Sequence, residues 1–226
     1  ILKSHSLSLI YVAILFTSFI MLHFAHRTVI VSVFTTAVFI IIVLALMDMS
    51  YCLAFQDPLT GVLSRRALEQ ELLKLGNRYY IAMVDIDRFK HINDNFGHDV
   101  GDEVLKMVAS ILIQKAGKSK VFRYGGEEFI VLFTGMAYND VMLELDNIRK
   151  SIERRSFVIR DKNRPNEKPK KVISSVSNGA KTIHVTVSIG VAQKNNQLKT
   201  PYDVIKKADE ALYKSKNSGR NCITKI

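Results

Sequence analysis

The chain has 226 residues, 48% of them apolar, with 32 Lys and Arg against 21 Asp and Glu and a formal net charge of +11. This composition excludes a disordered chain, a collagen-like repeat and a disulfide scaffold. Two cysteines, Cys52 and Cys222, are too few and too far apart for a local metal motif or a staple framework, and they point to a reducing compartment. The excess positive charge favours an anionic partner such as a nucleotide, a nucleic acid or lipid head groups.

Lys3 and Arg27 are the only formal charges before Asp48. The apolar runs at about 5–25 and 28–47 each approach the ~20 residues needed to cross a bilayer core, and neither carries an amphipathic stripe. A signal peptide fits poorly, because the second run follows at once and neither ends in a small-residue cleavage pattern. The reading is two transmembrane helices joined by a tight turn near His23–Arg27. Lys3 favours an inside N-terminus, and Arg27 in the outer turn is a mild conflict with the positive-inside rule. The start at Ile1 rather than Met fits a piece of a longer protein. Residues 48–56 lack Pro and Gly and read as a helical linker, which Asp57-Pro58 ends.

Residues 48–226 carry 30 of the 32 basic residues and all 21 acidic ones, so they form the soluble part, with its folded domain over 57–226. Ser64 is placed to cap a helix carrying Leu68, Leu72 and Leu75 that stops at Gly76. YYIAMVDID (79–87) reads as a buried strand ending in acids. Val104, Leu105, Val108, Ile111 and Leu112 share one face of a helix over 99–116. KVFRY and EEFIVLF, separated by Gly125-Gly126, read as a hairpin. A helix over 139–155 uses Val141, Leu145, Ile148 and Ile152. FVIRD and TIHVTVSIGVA read as two strands, separated by a polar linkage whose basic stretch, 161–171, is a solvated loop. Thr200-Pro201 opens a last helix with Ala208, Ala211 and Leu212 facing inward. A short strand at 221–225 closes the chain. This order of helices and antiparallel strands predicts an α+β fold, a mostly antiparallel sheet flanked by helices.

Two acidic clusters stand out. Asp85 and Asp87 share strand parity, so they point to one face at a strand end. Glu127 and Glu128 follow the Gly-Gly turn and point to opposite faces. If the two strands are neighbours, one carboxylate from each converges on a shared point. Converging carboxylates at a sheet end suit Mg²⁺, a hard ion that binds through one or two carboxylates plus substrate phosphates.

RYGGEEF (123–129) resembles the signature loop of the GGDEF family, the diguanylate cyclases. DPLTGVLSRR (57–66), VDIDRFKHINDNFGHDVGD (84–102), VSIGVA (187–192) and ADEALYKSKNSGRN (208–221) resemble four further motifs of that family, in its order. The resemblance implies a fold like the palm of nucleotide polymerases and nucleotidyl cyclases over 57–226. It implies that Asp85, Glu127 and the backbone carbonyl of Ile86 hold Mg²⁺ or Mn²⁺, two ions per GTP site, with Glu128 adding to the metal field or holding the loop. Glu127 is also the implied activator of the attacking 3′-hydroxyl, and Lys90 the stabiliser of phosphate charge. Asn93 and Asp102 match guanine readers, His98 a substrate contact, and Lys216 with Arg220 a phosphate-binding pair. The R-x-x-D product site of many members is replaced by Ala116-Gly117-Lys118-Ser119, so feedback through that site is not expected.

The implied activity joins two GTP molecules into cyclic di-GMP and two pyrophosphates, in bacterial second-messenger signalling. Each domain holds one GTP, so a homodimer is required. The expected location is the inner membrane, multi-pass and in contact with lipid, with the catalytic domain in the cytoplasm. The alternative is a catalytically silent membrane module that binds GTP or cyclic di-GMP, or serves as a scaffold. Nucleic acid is not an expected partner, because no thumb, fingers or template channel is present in the sequence.

Overall fold

The computed structural model describes residues 11–12, 15–19, 28–159 and 181–226. The chain divides into two compact units, Ile1–Ala54 and Phe55–Ile226. Helix α1 spans Thr28–Phe55. Its Val31–Phe55 stretch is 25 residues, long and apolar enough to cross a membrane, and the apolar window within it has no buried share. The first of the two expected membrane helices falls largely outside the described residues, as does the basic 161–171 stretch.

In the second unit the elements run α2 (Arg65–Leu72), β1 (Tyr79–Ile86), α3 (Phe89–Phe96), α4 (His98–Lys115), β2 (Lys120–Arg123), β3 (Glu128–Thr134), α5 (Tyr138–Glu153), β4 (Ser156–Val158), β5 (Thr182–His184), β6 (Val187–Gln193), α6 (Pro201–Asn217) and β7 (Ile223–Lys225). Five strands form one sheet in the order β2-β3-β1-β6-β7. Every pairing in it is antiparallel except β6 with β7, so the sheet is mixed. The run 182–192 is not one strand. It breaks around Val185-Thr186 into β5, which pairs only with β4 in a separate two-stranded sheet, and β6 in the main sheet.

β1 is central, and all of it is buried. Its alternation divides the core. Tyr80, Ala82, Val84 and Ile86 join a cluster with Val104, Val108 and Leu112 of α4 and Val141, Leu145 and Ile148 of α5. Tyr79, Ile81 and Met83 join a second cluster with Leu68 of α2 and Val204, Ala208 and Leu212 of α6. Fully burying each such aliphatic side chain contributes about 1.5–3 kcal/mol. Gly190 sets how closely α6 approaches, since a Cβ there would collide with the backbone of Ala208 and Leu212. α6 starts as expected from its sequence. Thr200 accepts from Asp203 N at 3.2 Å, the Asp203 carboxylate accepts from Thr200 N at 2.7 Å, and Pro201 fills the first turn.

Candidate active site

Asp85 is the penultimate residue of β1 and stands opposite Glu128 of β3 and Ser188 of β6. Directly opposed residues of an antiparallel pair project from the same face, so Asp85 and Glu128 emerge together beside α6. The expected pairing of one carboxylate from each strand is therefore made by Glu128. Glu127 lies in the turn, not in the strand. The link between β2 and β3 is a four-residue turn, 124–127, closed by Tyr124 N and Gly125 N donating to the Glu128 carbonyl at 2.8 and 3.2 Å. A Cβ at Gly125 would stand 2.6 Å from Glu128 Oε2, so a larger residue there would displace that carboxylate.

The corner is desolvated and crowded with like charge. Asp85 is only 3% exposed. Burial raises its carboxyl above the ordinary value, the bond and charge of Lys216 pull it down, and the Asp87 charge adds to the rise. Burial also raises Glu127 and Glu128, and the Asp85 charge raises both further. Lys216 Nζ lies 2.8 Å from Asp85 Oδ2. The residue expected to meet phosphate thus serves here as the counter-ion of the buried acid. The Arg220 charge also acts on Asp85.

Among the described residues no three His, Cys, Asp or Glu side chains are gathered as a finished metal cage. The chemistry of the corner nevertheless fits a hard divalent cation. Asp85, Glu127 and Glu128 offer anionic oxygen donors only, and their mutual repulsion is what such an ion relieves. Ile86 is fully buried with its side chain among residues of the α4 and α5 face, which leaves its backbone as the part that can join the donor set.

The expected guanine readers lie on the next two helices. α3, which was not anticipated as a helix of its own, carries Lys90 and Asn93. Gly97, at φ +85°, breaks the chain before α4, which carries His98 and Asp102. A Cβ on Gly101 would strike Asn93 Oδ1, so the absence of a side chain lets the amide lie against α4. Asn93 Oδ1 is buried without a hydrogen-bond partner. A polar atom in that state costs free energy until something bonds it. Lys90, His98 and Asp102 are exposed to solvent.

Two groups support the site: Arg123, whose role escaped the sequence reading, and Asp87, which that reading set beside Asp85 in one acidic cluster. Arg123 reaches across to Asp57, with Nη1 at 2.9 Å from Oδ1 and 3.0 Å from Oδ2, while Nη2 donates to the Gly126 carbonyl at 2.8 Å. It therefore ties the start of the second unit to the signature turn. Burial raises the Asp57 carboxyl, but the bonds from Thr60 and Arg123 outweigh this and hold it below its ordinary value. The Asp-Pro turn and the Arg before Tyr-Gly-Gly were visible in the sequence, but only folding brings them together. Asp87, the other acid of the strand end, is only 7% exposed. It accepts from Ser188 Oγ at 2.6 Å, Thr186 Oγ1 at 2.7 Å and Asn221 N at 3.1 Å. It thus pins the turn after α6 to the end of β1.

The family model for "Diguanylate cyclase, GGDEF domain" matches residues 54–222. The response regulator PleD of Caulobacter vibrioides is 35% identical over 185 residues, covering 78% of this chain and 37% of PleD. Diguanylate cyclase A of Treponema denticola is 39% identical over 145 residues, covering 64% of this chain and 34% of that protein. The chain thus spans little more than a third of the length of these curated relatives. Among solved structures, the coiled coil and GGDEF domain of DgcB from Caulobacter crescentus, in complex with cyclic di-GMP, superposes with a TM-score of 0.73 at 27% identity. That match covers 88% of this chain and 100% of the other.

Proposed function

The chain belongs to the GGDEF family, and on that premise we propose that it is a diguanylate cyclase, joining two GTP molecules into cyclic di-GMP across a homodimer. The observation that carries the reading is the corner formed by Asp85 opposite Glu128, with Glu127 and Lys216 beside them. Asp85, Glu127 and Glu128 hold Mg²⁺ or Mn²⁺, two ions per GTP, joined by the Ile86 carbonyl. Bound divalent ions supply positive charge at the α-phosphate and the leaving pyrophosphate.

The other residues act on the nucleotide. Asn93 and Asp102 bond the guanine edge, and the buried Asn93 oxygen gains a partner in doing so. A carboxylate at Asp102 accepts from guanine N1–H and N2–H₂ together. Adenine has no such donor pair and is rejected by the bonds it leaves unmade. His98 adds a substrate contact. Lys90, Lys216 and Arg220 neutralise phosphate oxygens, Lys216 exchanging its Asp85 bond for one to substrate. The 3′-oxygen of one GTP forms a bond to the α-phosphorus of the other as the bond to the β-phosphate breaks. Its proton passes to the Glu127 carboxylate and the electron pair leaves with pyrophosphate. One domain positions one GTP, so both transfers, the one that joins the nucleotides and the one that closes the ring, need the partner subunit.

The proposed organisation has residues 57–226 as the cyclase domain, 48–56 as a helical link and 1–47 as two membrane helices of the inner membrane. The catalytic domain then faces the cytoplasm. The apolar, unburied stretch Val31–Phe55 supports a membrane location.

The test is the full chain in detergent with Mg²⁺ and GTP, products being separated by chromatography, beside Glu127→Gln. Cyclic di-GMP from the parent, reduced at least about a hundredfold in the variant, is the expected result. A folded, dimeric parent that binds GTP and makes no product would overturn the activity in favour of a silent nucleotide-binding module.

A further inference from the structure

Behind α3, on the side away from Lys90 and Asn93, lies a cavity of about 420 Å³. At 100° per residue, Lys90 and Asn93 share one side of α3, whereas His91, Ile92 and Phe96 share the other, with Arg88 just before the helix as its N-cap. The cavity takes its walls from that second side, from Ile183 and His184 of β5, and from the Gly219–Asn221 turn after α6. Its volume falls in the range of small-molecule sites, about 300–1,000 Å³.

The lining has two characters. Arg88 and Arg220 supply positive charge, and His91 and His184 add ring nitrogens. Ile92, Phe96 and Ile183 supply an apolar surface, and Lys181 Nζ stands 4.7 Å from the centre of the Phe96 ring. The one acid in the lining, Asp87, is buried, and both its carboxylate oxygens already accept the three bonds described above.

The backbone of the cavity is also unusual. Arg88, Arg220 and Asn221, at φ +55°, +67° and +47°, are the non-glycine residues in the left-handed region among those described, and all three line this cavity. Such conformations cost energy and persist only where surrounding contacts impose them. Here Asn221 is held at its backbone by Asp87 and at its side chain by Arg149 and Glu153, at 3.0 and 2.8 Å. Arg220 N donates to the Ser215 carbonyl at 3.1 Å. These contacts fix the backbone at Arg220 and Asn221, and Arg88 lines the same opening.

We propose that this cavity binds a small organic anion, its apolar or aromatic body against Phe96 and Ile183 and its phosphate or carboxylate group between Arg88 and Arg220. Arg220 is shared between the cavity and the field of Asp85. An anion bound here therefore competes with the phosphates of the substrate for that guanidinium. The competition rests on the cyclase reading; the binding does not.

Phenyl phosphate, titrated into the detergent-solubilised full chain by calorimetry, is the probe, with inorganic phosphate beside it. Phenyl phosphate is expected to bind at least about tenfold more tightly than inorganic phosphate, because only it covers the apolar surface. Arg88→Gly, which the left-handed backbone accommodates, and His184→Ala are each expected to weaken it about tenfold, and Asn93→Ala to leave it unchanged. Absence of binding at millimolar concentration, equal affinity for the two probes, or loss in Asn93→Ala with retention in Arg88→Gly would each overturn the proposal. Turnover gives a separate readout. Phenyl phosphate is expected to slow cyclic di-GMP formation by the parent and to spare His184→Ala. A parent without turnover counts against the cyclase reading and leaves calorimetry to judge the cavity.

Discussion

Along β1, Tyr80, Ala82, Val84 and Ile86 lie with α4 and α5, whereas Tyr79, Ile81, Met83 and Asp85 lie on the face of α6. The first face is apolar to its end. The second is apolar for three residues out of four and then gives its last position to a buried carboxylate opposite Glu128 and Ser188. One face is a finished core. The other uses the same core as a platform to hold charge in a place where water cannot relax it. The difference teaches where stability and chemistry are separable within one strand, and each can be perturbed without the other.

The largest effect on stability is expected from the finished face. Leu145 of α5 is fully buried, and Leu145→Ala should cost about 2–5 kcal/mol. GTP affinity per folded molecule should stay at the parent value. A calorimetric or denaturant measurement paired with nucleotide titration checks both halves, and a selective loss of GTP affinity would show that the two faces are not separable.

Lys216→Ala strikes the charged face. It leaves Asp85 buried without its 2.8 Å partner and should cost about 1.5–3 kcal/mol. Added Mg²⁺ should restore part of that loss, since a cation replaces the missing ammonium. Thermal melts with and without the ion decide this. A variant equally stable in both conditions would mean that Lys216 is not the counter-ion of the site.

A smaller effect is expected at the edge, where Asp57→Asn loosens Arg123 from the signature turn, at about 1–2 kcal/mol. The pH dependence has a definite sign. The Asp57 carboxyl is held below its ordinary value in the folded chain. Its contribution is therefore fully present above the unfolded carboxylate range and disappears as pH falls through the lower folded value. The stability gap between parent and Asp57→Asn should be widest near neutrality and close below about pH 4. A gap independent of pH would assign the loss to packing.

Much of this was legible beforehand because it is local. The buried strand at 79–86, the Ser64 and Thr200 caps and the last helix each depend on a few adjacent residues. The separate helix α3 was not legible, because FKHINDNF is short and mixed and reads as part of a motif. The split of 182–192 into β5 and β6 was missed because both halves are β-rich; only their different partners part them. The turn at 124–127 was misjudged by taking the two glycines as the whole loop. That reading put both Glu127 and Glu128 in the strand, whereas the strand starts at Glu128 and Glu127 stays in the turn.

The sequence by itself determined the family, the helix and strand types of most elements and the acids at the strand end, since motif spacing and periodicity are properties of neighbouring residues. Tertiary structure alone decided that Glu128 faces Asp85, that Lys216 neutralises it, that Arg123 joins Asp57 to Gly126, and that Arg88 meets Arg220 across a cavity. Those pairs are separated by tens of residues or more. Whether two such groups meet depends on strand register and on the close approach that Gly101 and Gly190 allow, which no local pattern encodes.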